Sequence, residues 1–275
     1  MTPPSTSMIR CLRSALGPLA DSSTDAALLS RFAKSRDQEA FELLVWRHAG
    51  MVLRVGRSVL RDHHAAEDAA QAAFLALAAQ AGSVCRRGTV AGWLYRVVWR
   101  ISVKAARRRH PQMTADLDQI PSRPDESPPD PALLEILHEE LARLPEKYRV
   151  PLVLCYFEGL THAEAARRLD WPIGTFATRM ARAKDWLQRK LSQRGVAVPL
   201  AGVGTLAATE PGSAFVGATV QAATAFAAGN LSSLGVSQTI VDQAQGAIRA
   251  MTISKLSWTA GILAACGMLT IGIVW

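Results

Sequence analysis

The chain has 275 residues and a net charge of +8, placed as +9 over residues 1–110, −4 over 111–134, +3 over 135–195 and 0 over 196–275. That length holds one or two small domains, and two basic blocks around an acidic connector point to a polyanion, nucleic acid before lipid headgroups. Four cysteines standing singly, six histidines without an H-E-x-x-H array, and no phosphate-cradling glycine loop or G-x-S-x-G leave metal, cofactor and enzyme readings unsupported.

Residues 1–23 are Pro/Ser-rich and lack an apolar core long enough for a signal peptide, so a loose leader is predicted. Helical patterning starts near Asp25 with Leu28, Leu29 and Phe32. After Asp37, the residues Phe41, Leu44, Val45, His48, Met51, Val52 and Val55 repeat at helical spacing, which is core packing. A turn at Arg61-Asp62 leads to an alanine-rich stretch, 66–81, with strong helix propensity. Asp68, Gln71 and Leu75 share one side of it, next to an apolar strip of Phe74, Leu77 and Ala81. A carboxylate and an amide beside apolar residues suit the docking of another protein; the plainer reading is an amphipathic helix. The histidines, including the pair His63-His64, read as helix-surface residues.

Gly82 to Gly92 reads as a basic loop carrying Arg86 and Arg87. From Trp93 to Arg109, Tyr95 and Trp99 interleave with Arg96, Arg100, Lys104 and the run Arg107-Arg108-Arg109. Cations track phosphates and flat rings stack on unpaired bases, which is what a protein holding open DNA needs. Trp93 and Leu94 could equally be core, which leaves an exposed Tyr95 or Trp99 as the stacking candidates. Residues 111–131 hold six prolines and several acids and read as a semi-extended linker. A second apolar unit starts at residue 132 with Leu133, Leu134, Leu137, Leu141 and Leu144, leaving Arg143 and Arg149 available to phosphates.

Two helices joined by a tight corner follow between Gly159 and Leu191. Thr161 and Glu164 form a T-x-x-E capping box, so a short helix is predicted from Thr161 to about Leu169. Asp170, Trp171 and Pro172 break it. A longer helix then opens at Gly174 and Thr175, with Phe176, Met180, Ala183 and Leu187 as its buried stripe. Its other face carries Thr175, Thr178, Arg179 and Arg182. That is the layout of a helix-turn-helix, whose second helix offers its N-terminal residues to base edges in the major groove. An ordinary hairpin with a solvated basic face has the same pattern.

Residues 196–255 are rich in small residues and poor in charge; two weakly amphipathic helices are predicted, near 214–228 and 236–250, with no role assigned. Residues 256–275 contain no charge and, as a helix of about 30 Å, match a bilayer core. Trp258 and Trp275 stand near its ends, and Arg249 and Lys255 flank its N-terminal side. A transmembrane helix is predicted there, which keeps the preceding domains on the cytoplasmic side of the membrane; a buried core helix is the alternative.

The succession E-D-A-A-Q-A-A-F, the Arg86-Arg87 segment, G-W-L-Y-R-V-V-W-R and G-L-T-H-A-E-A-A-R-R-L…P-I-G-T-F-A-T-R-M-A-R-A resembles the extracytoplasmic-function sigma factors of the sigma-70 family, over about residues 24–194. The resemblance implies an all-α protein of two small helical domains. Residues 24–110 would be sigma region 2, for polymerase docking and promoter melting, and residues 132–195 sigma region 4, with a Pro-rich linker between them. It implies as partners the bacterial RNA polymerase core, through its β′ clamp helices and β flap, promoter DNA, and in many cases an anti-sigma factor. No cofactor is implied.

Carried over by position, Asp68, Gln71 and Phe74 match the helix that docks on the clamp helices. Arg86 and Arg87 lie in the segment that captures a flipped base of the downstream element. Tyr95, Arg96, Trp99, Arg100 and Lys104 match the strand-opening helix, although many members carry Asn where Arg100 stands. Thr175, Thr178, Arg179 and Arg182 sit where the family reads the upstream element, and Phe176 replaces a commoner valine. Two other readings of the residues stand beside this one: a membrane-anchored helix-turn-helix regulator, which leaves the 66–109 block without a purpose, and a membrane-anchored helical adaptor that touches no nucleic acid.

Overall fold

The computed structural model describes residues 23–87, 89–109, 131–195, 211–230 and 237–250, and all regular structure among them is helical. Helix α1 (Asp25–Ser35) starts where the Thr24 hydroxyl oxygen accepts from the Ala27 amide at 3.2 Å. Helix α2 (Gln38–Leu60) starts the same way, with Asp37 accepting from the Ala40 amide at 3.1 Å. Such oxygens satisfy amides that the first helical turn leaves without a partner. The apolar repeat of α2 is buried throughout, from Phe41 to Val55.

Helices α3 (His63–Arg87) and α4 (Val90–Arg109) depart from the sequence reading at their junction. Residues 82–87 are not a loop: α3 continues through Gly82 to Arg87, and Trp93 begins no element of its own. Val84 is buried, and the Ser83 hydroxyl donates to the Gln80 carbonyl at 3.1 Å, so packing and local bonding carry the helix past a single glycine. Within α3, Ala72 to Ala78 are all buried, as a helix apolar on every side must be. The helices packed around it are α1, α2, α4 and one from the C-terminal segment.

The second unit comprises α5 (Pro131–Arg143), α6 (Glu146–Leu152), a π-helical turn (Val153–Phe157), α7 (His162–Leu169) and α8 (Ile173–Gln193). Leu137, Leu141 and Leu144 are buried as expected; the side chains of Leu133 and Leu134 lie outside the described part. Pro151 has no amide proton to donate within the helix, and the widened turn follows directly after it. Helix α9 (Ser213–Ala227) and the helical residues 238–250 complete the described chain, close to the two helices predicted in this segment.

The two units pack against each other, with α5, α6 and the π turn lying on α2 and α4. A Cβ on Gly92 would stand 2.7 Å from Val150 Cγ2, so α4 meets α6 at a distance only glycine permits. No helix among the described residues is long and apolar enough to cross a membrane; the predicted span 256–275, the leader and most of the linker lie outside them.

Candidate nucleic-acid and polymerase interfaces

The α7–α8 corner is built as its sequence requires. The Thr161 amide donates to Glu164 Oε2 at 2.9 Å, and the Glu164 amide donates back to Thr161 Oγ1 at 3.3 Å, closing the capping box. Asp170 ends α7 in the left-handed region at φ 54°, and Pro172 caps α8, which starts at Ile173. Phe176, Met180, Ala183 and Leu187 are buried, joined by Leu191. With that stripe turned inward, Thr178 and Arg182 are exposed, and Thr175 and Arg179 half-buried. The Arg179 guanidinium lies 4.1 Å over the Trp171 ring, a cation–π contact that fixes its direction beside the corner. Thr178 spends its hydroxyl proton on the Gly174 carbonyl at 2.8 Å, so toward a base it can only accept. The sequence reading missed Ile173, which is 56% exposed and is the one large hydrophobic so exposed among the described residues. Its place beside Pro172, at the tip of the presented helix, was the available signal.

The α3–α4 candidates are placed differently. Asp68 and Gln71 are half-buried, but Phe74 has no exposed surface and is part of the core. Arg86 is exposed; the Arg87 side chain lies outside the described part. Along α4, Arg100 and Lys104 are exposed, and Arg96 and Trp99 half-buried. Tyr95 corrects the expectation of an exposed ring. It is wholly buried, its hydroxyl is 2.7 Å from His138 Nδ1, and the Phe157 ring packs against it edge-on at 5.4 Å. Burial pushes its phenol well above the usual range.

The arginines expected to meet phosphates are also engaged elsewhere. Arg143 pairs with Glu139 at 2.6 Å and with Glu140 at 2.9 Å. Arg149 is 1% exposed and donates to the Leu144 carbonyl at 2.7 Å. Its Nε and Nη2 meet no acceptor among the described residues. Burial, together with the nearby Arg96, lowers its pKa to about 10.

Two histidines lie in the seam between the units: His48, in keeping with its place in the core-packing repeat of α2, and His138, contrary to the surface reading; His63 and His64 do face solvent. His48 is enclosed by Glu158 at 2.6 Å and Asp25 at 2.9 Å, with Arg47 on Asp25 at 2.9 Å and Arg168 on Glu158 at 2.6 Å. Burial alone would lower the His48 pKa, but the Glu158 and Asp25 carboxylates outweigh it and raise it to about 9. His138 sits between the Tyr95 hydroxyl and Ser58 Oγ, the latter at 2.9 Å, with no carboxylate to offset burial, and its pKa falls to about 4.

Residues 44–111 match sigma-70 region 2, and residues 134–187 match sigma-70 region 4. The chain is 32% identical over 168 residues to the ECF RNA polymerase sigma factor SigM of Mycobacterium tuberculosis (strain ATCC 25618 / H37Rv), covering 61% of this chain and 85% of that one. The chain belongs to the extracytoplasmic-function sigma factors of the sigma-70 family. It is also 26% identical over 172 residues to the ECF RNA polymerase sigma factor SigW of Bacillus subtilis (strain 168), covering 58% of this chain and 92% of SigW. The ECF RNA polymerase sigma-E factor of Escherichia coli (strain K12) is 29% identical over 185 residues, covering 61% and 94% respectively.

Proposed function

We propose that this sigma factor binds bacterial RNA polymerase core and selects promoters, without catalysis of its own. In this reading Asp68 and Gln71 on α3 contact the β′ clamp helices, and region 4 approaches the β flap. Arg86, Arg87, Arg96, Trp99, Arg100 and Lys104 serve the downstream element and strand opening; Tyr95 joins them once the seam has parted. Thr175, Thr178, Arg179 and Arg182 read the upstream element. The observation that carries the reading is the α8 N-terminus, presented by a capped corner with Arg179 braced on Trp171 and Arg182 exposed. The uncharged run 256–275 supports a membrane tether that holds the domains on the cytoplasmic face, where an anti-sigma factor would have access to them.

Run-off transcription from a genomic promoter library, with core polymerase and the full chain in mild detergent, tests this. Specific starts are expected to vanish with Asp68→Ala/Gln71→Ala and to weaken or shift with Arg179→Ala or Arg182→Ala. Duplex binding without core-dependent starts would establish a helix-turn-helix regulator instead; neither starts nor binding would leave an adaptor. The tether is checked by fractionation. The full chain is expected in the membrane pellet, and recovery in the soluble fraction would sink it.

A further inference from the structure

The exposed arc of α8 carries two kinds of surface. Thr178 and Arg182 form its polar side; Ile173, Ala177 and Ala181, spaced i, i+4 and i+8 and all exposed, form an apolar row along the other. Ile173 lies one turn before Phe176 and could have continued the buried stripe. Instead it is 56% exposed, while Phe176 has no exposed surface. As the first residue of α8, behind Pro172, it directs its side chain past the helix end, because Cα–Cβ bonds tilt toward the N-terminus. Among the described residues, nothing stands within 4 Å of a Cβ built on the neighbouring Gly174, so the fold leaves this first turn uncovered.

We propose that Ile173 is a specificity-determining residue of the upstream-element contact, packing on the C5-methyl group of a thymine in the major groove. This inference rests on the sigma-factor reading above and adds an apolar contact to it. An isoleucine side chain has neither donor nor acceptor, so it can pair with no phosphate and no polar base edge. The thymine methyl is the apolar group that base edges present in the major groove. Ala177 and Ala181 are short enough to let the α8 backbone come near those edges, and their exposed methyls favour the same base. On the other side of the arc Arg182 reaches hydrogen-bonding edges, guanine before others. One helix end thereby reads two chemically different features. Covering Ile173 with a methyl takes apolar surface out of water, so its exposure in the free protein becomes affinity in the complex.

The test uses core polymerase, the full chain in mild detergent and a promoter recovered from the run-off library. Each upstream-element thymine, on either strand, is replaced in turn by deoxyuridine, which lacks only the C5-methyl. For the unaltered chain, at least one replacement is expected to weaken promoter binding about fourfold, the worth of one buried methyl. Ile173→Ala is expected to weaken binding to the unreplaced promoter by roughly three- to tenfold and to show no further loss at that thymine. Ile173→Val, which keeps most of the apolar surface, should recover most of the affinity. Melting temperature and core affinity should not change in either variant. Deoxyuridine without effect at every position, or with as large an effect in Ile173→Ala as in the unaltered chain, would overturn the thymine contact while leaving the sigma reading intact. Weaker core binding by Ile173→Ala would overturn it too, by moving Ile173 to a polymerase contact. Absence of specific starts with every form would sink both.

Discussion

The two ends of this molecule that are expected to meet DNA and polymerase differ in how they are presented. Helix α8 has one apolar stripe and charges elsewhere, so it buries that stripe and leaves Thr178 and Arg182 exposed. Helix α3 is apolar on every side between Ala72 and Ala78, so water is a poor neighbour for any of its faces. A helix of the first kind is exposed by its own composition; one of the second kind takes whatever cover is available. That cover is α9 over α3, and for Tyr95 on α4 it is the second unit. Charge on α8 and small apolar residues on α3 therefore leave the first with an open face and the second enclosed over its middle turns.

The largest effect that could break this contrast is Phe74→Ala. As a fully buried side chain, Phe74 is expected to cost about 3–5 kcal/mol of stability when truncated, read from thermal or denaturant unfolding. A stable variant that merely binds core polymerase poorly would return Phe74 to the docking surface. The seam comes next. Removing His48 leaves the Asp25 and Glu158 carboxylates facing each other, and breaking a buried pair costs about 3–5 kcal/mol, with the upper part of that range less expected here because Arg47 and Arg168 remain. His48→Leu should accordingly lower the melting temperature.

The seam's pH dependence follows from the same groups. The folded His48 pKa, about 9, lies above its ordinary 6.5, so its contribution is complete below about 6.5 and lost as pH rises through 9. His138 acts in the opposite sense. Its pKa of about 4 lies below 6.5, so its contribution is present above 6.5 and lost as pH falls toward 4. Asp25, whose carboxyl is held low by His48 and Arg168 against the effect of burial, adds to the acid-side loss. Stability should peak near pH 6.5, and His48→Leu should remove the decline on the alkaline side. An unaltered alkaline limb in that variant would exclude His48 as its source.

Much of this was legible in the sequence, for reasons that also explain what was not. The capping box, the Asp170-Trp171-Pro172 break and the Phe176–Leu187 stripe are local signals, each decided within two turns of chain, and all stand within a residue of their predicted places. The extension of α3 through Gly82 was missed because one glycine and two arginines resemble a loop until Val84 is seen to be buried. Tyr95, Arg149 and His138 were misplaced for one shared reason: each lies in or beside the seam between the two units, and periodicity within one helix carries no information about a second unit lying on it. The packing of α9 on α2 and α3 was invisible on the same ground, since a helix of small uncharged residues has no preferred outward face of its own.

The two smallest effects sharpen the contrast from the exposed side. Arg182→Ala should leave unfolding unchanged while weakening upstream-element duplex binding by about 1–3 kcal/mol, as for an arginine at a base edge. It is the converse of Phe74→Ala, with function lost and stability kept. Thr161→Ala removes the hydroxyl that accepts from the Glu164 amide and is expected to cost about 1 kcal/mol. That loss should fall mainly on the first turn of α7, whose His162 ring lies 5.5 Å from Phe176 at the start of the α8 stripe. Duplex binding should therefore drop only slightly, as α7 frays and supports the Trp171–Arg179 corner less firmly. Hydrogen exchange confined to the first turn of α7 would fit this. A binding loss as large as that of Arg182→Ala would mean instead that the cap, and not the Phe176 stripe, sets the angle at which α8 is presented.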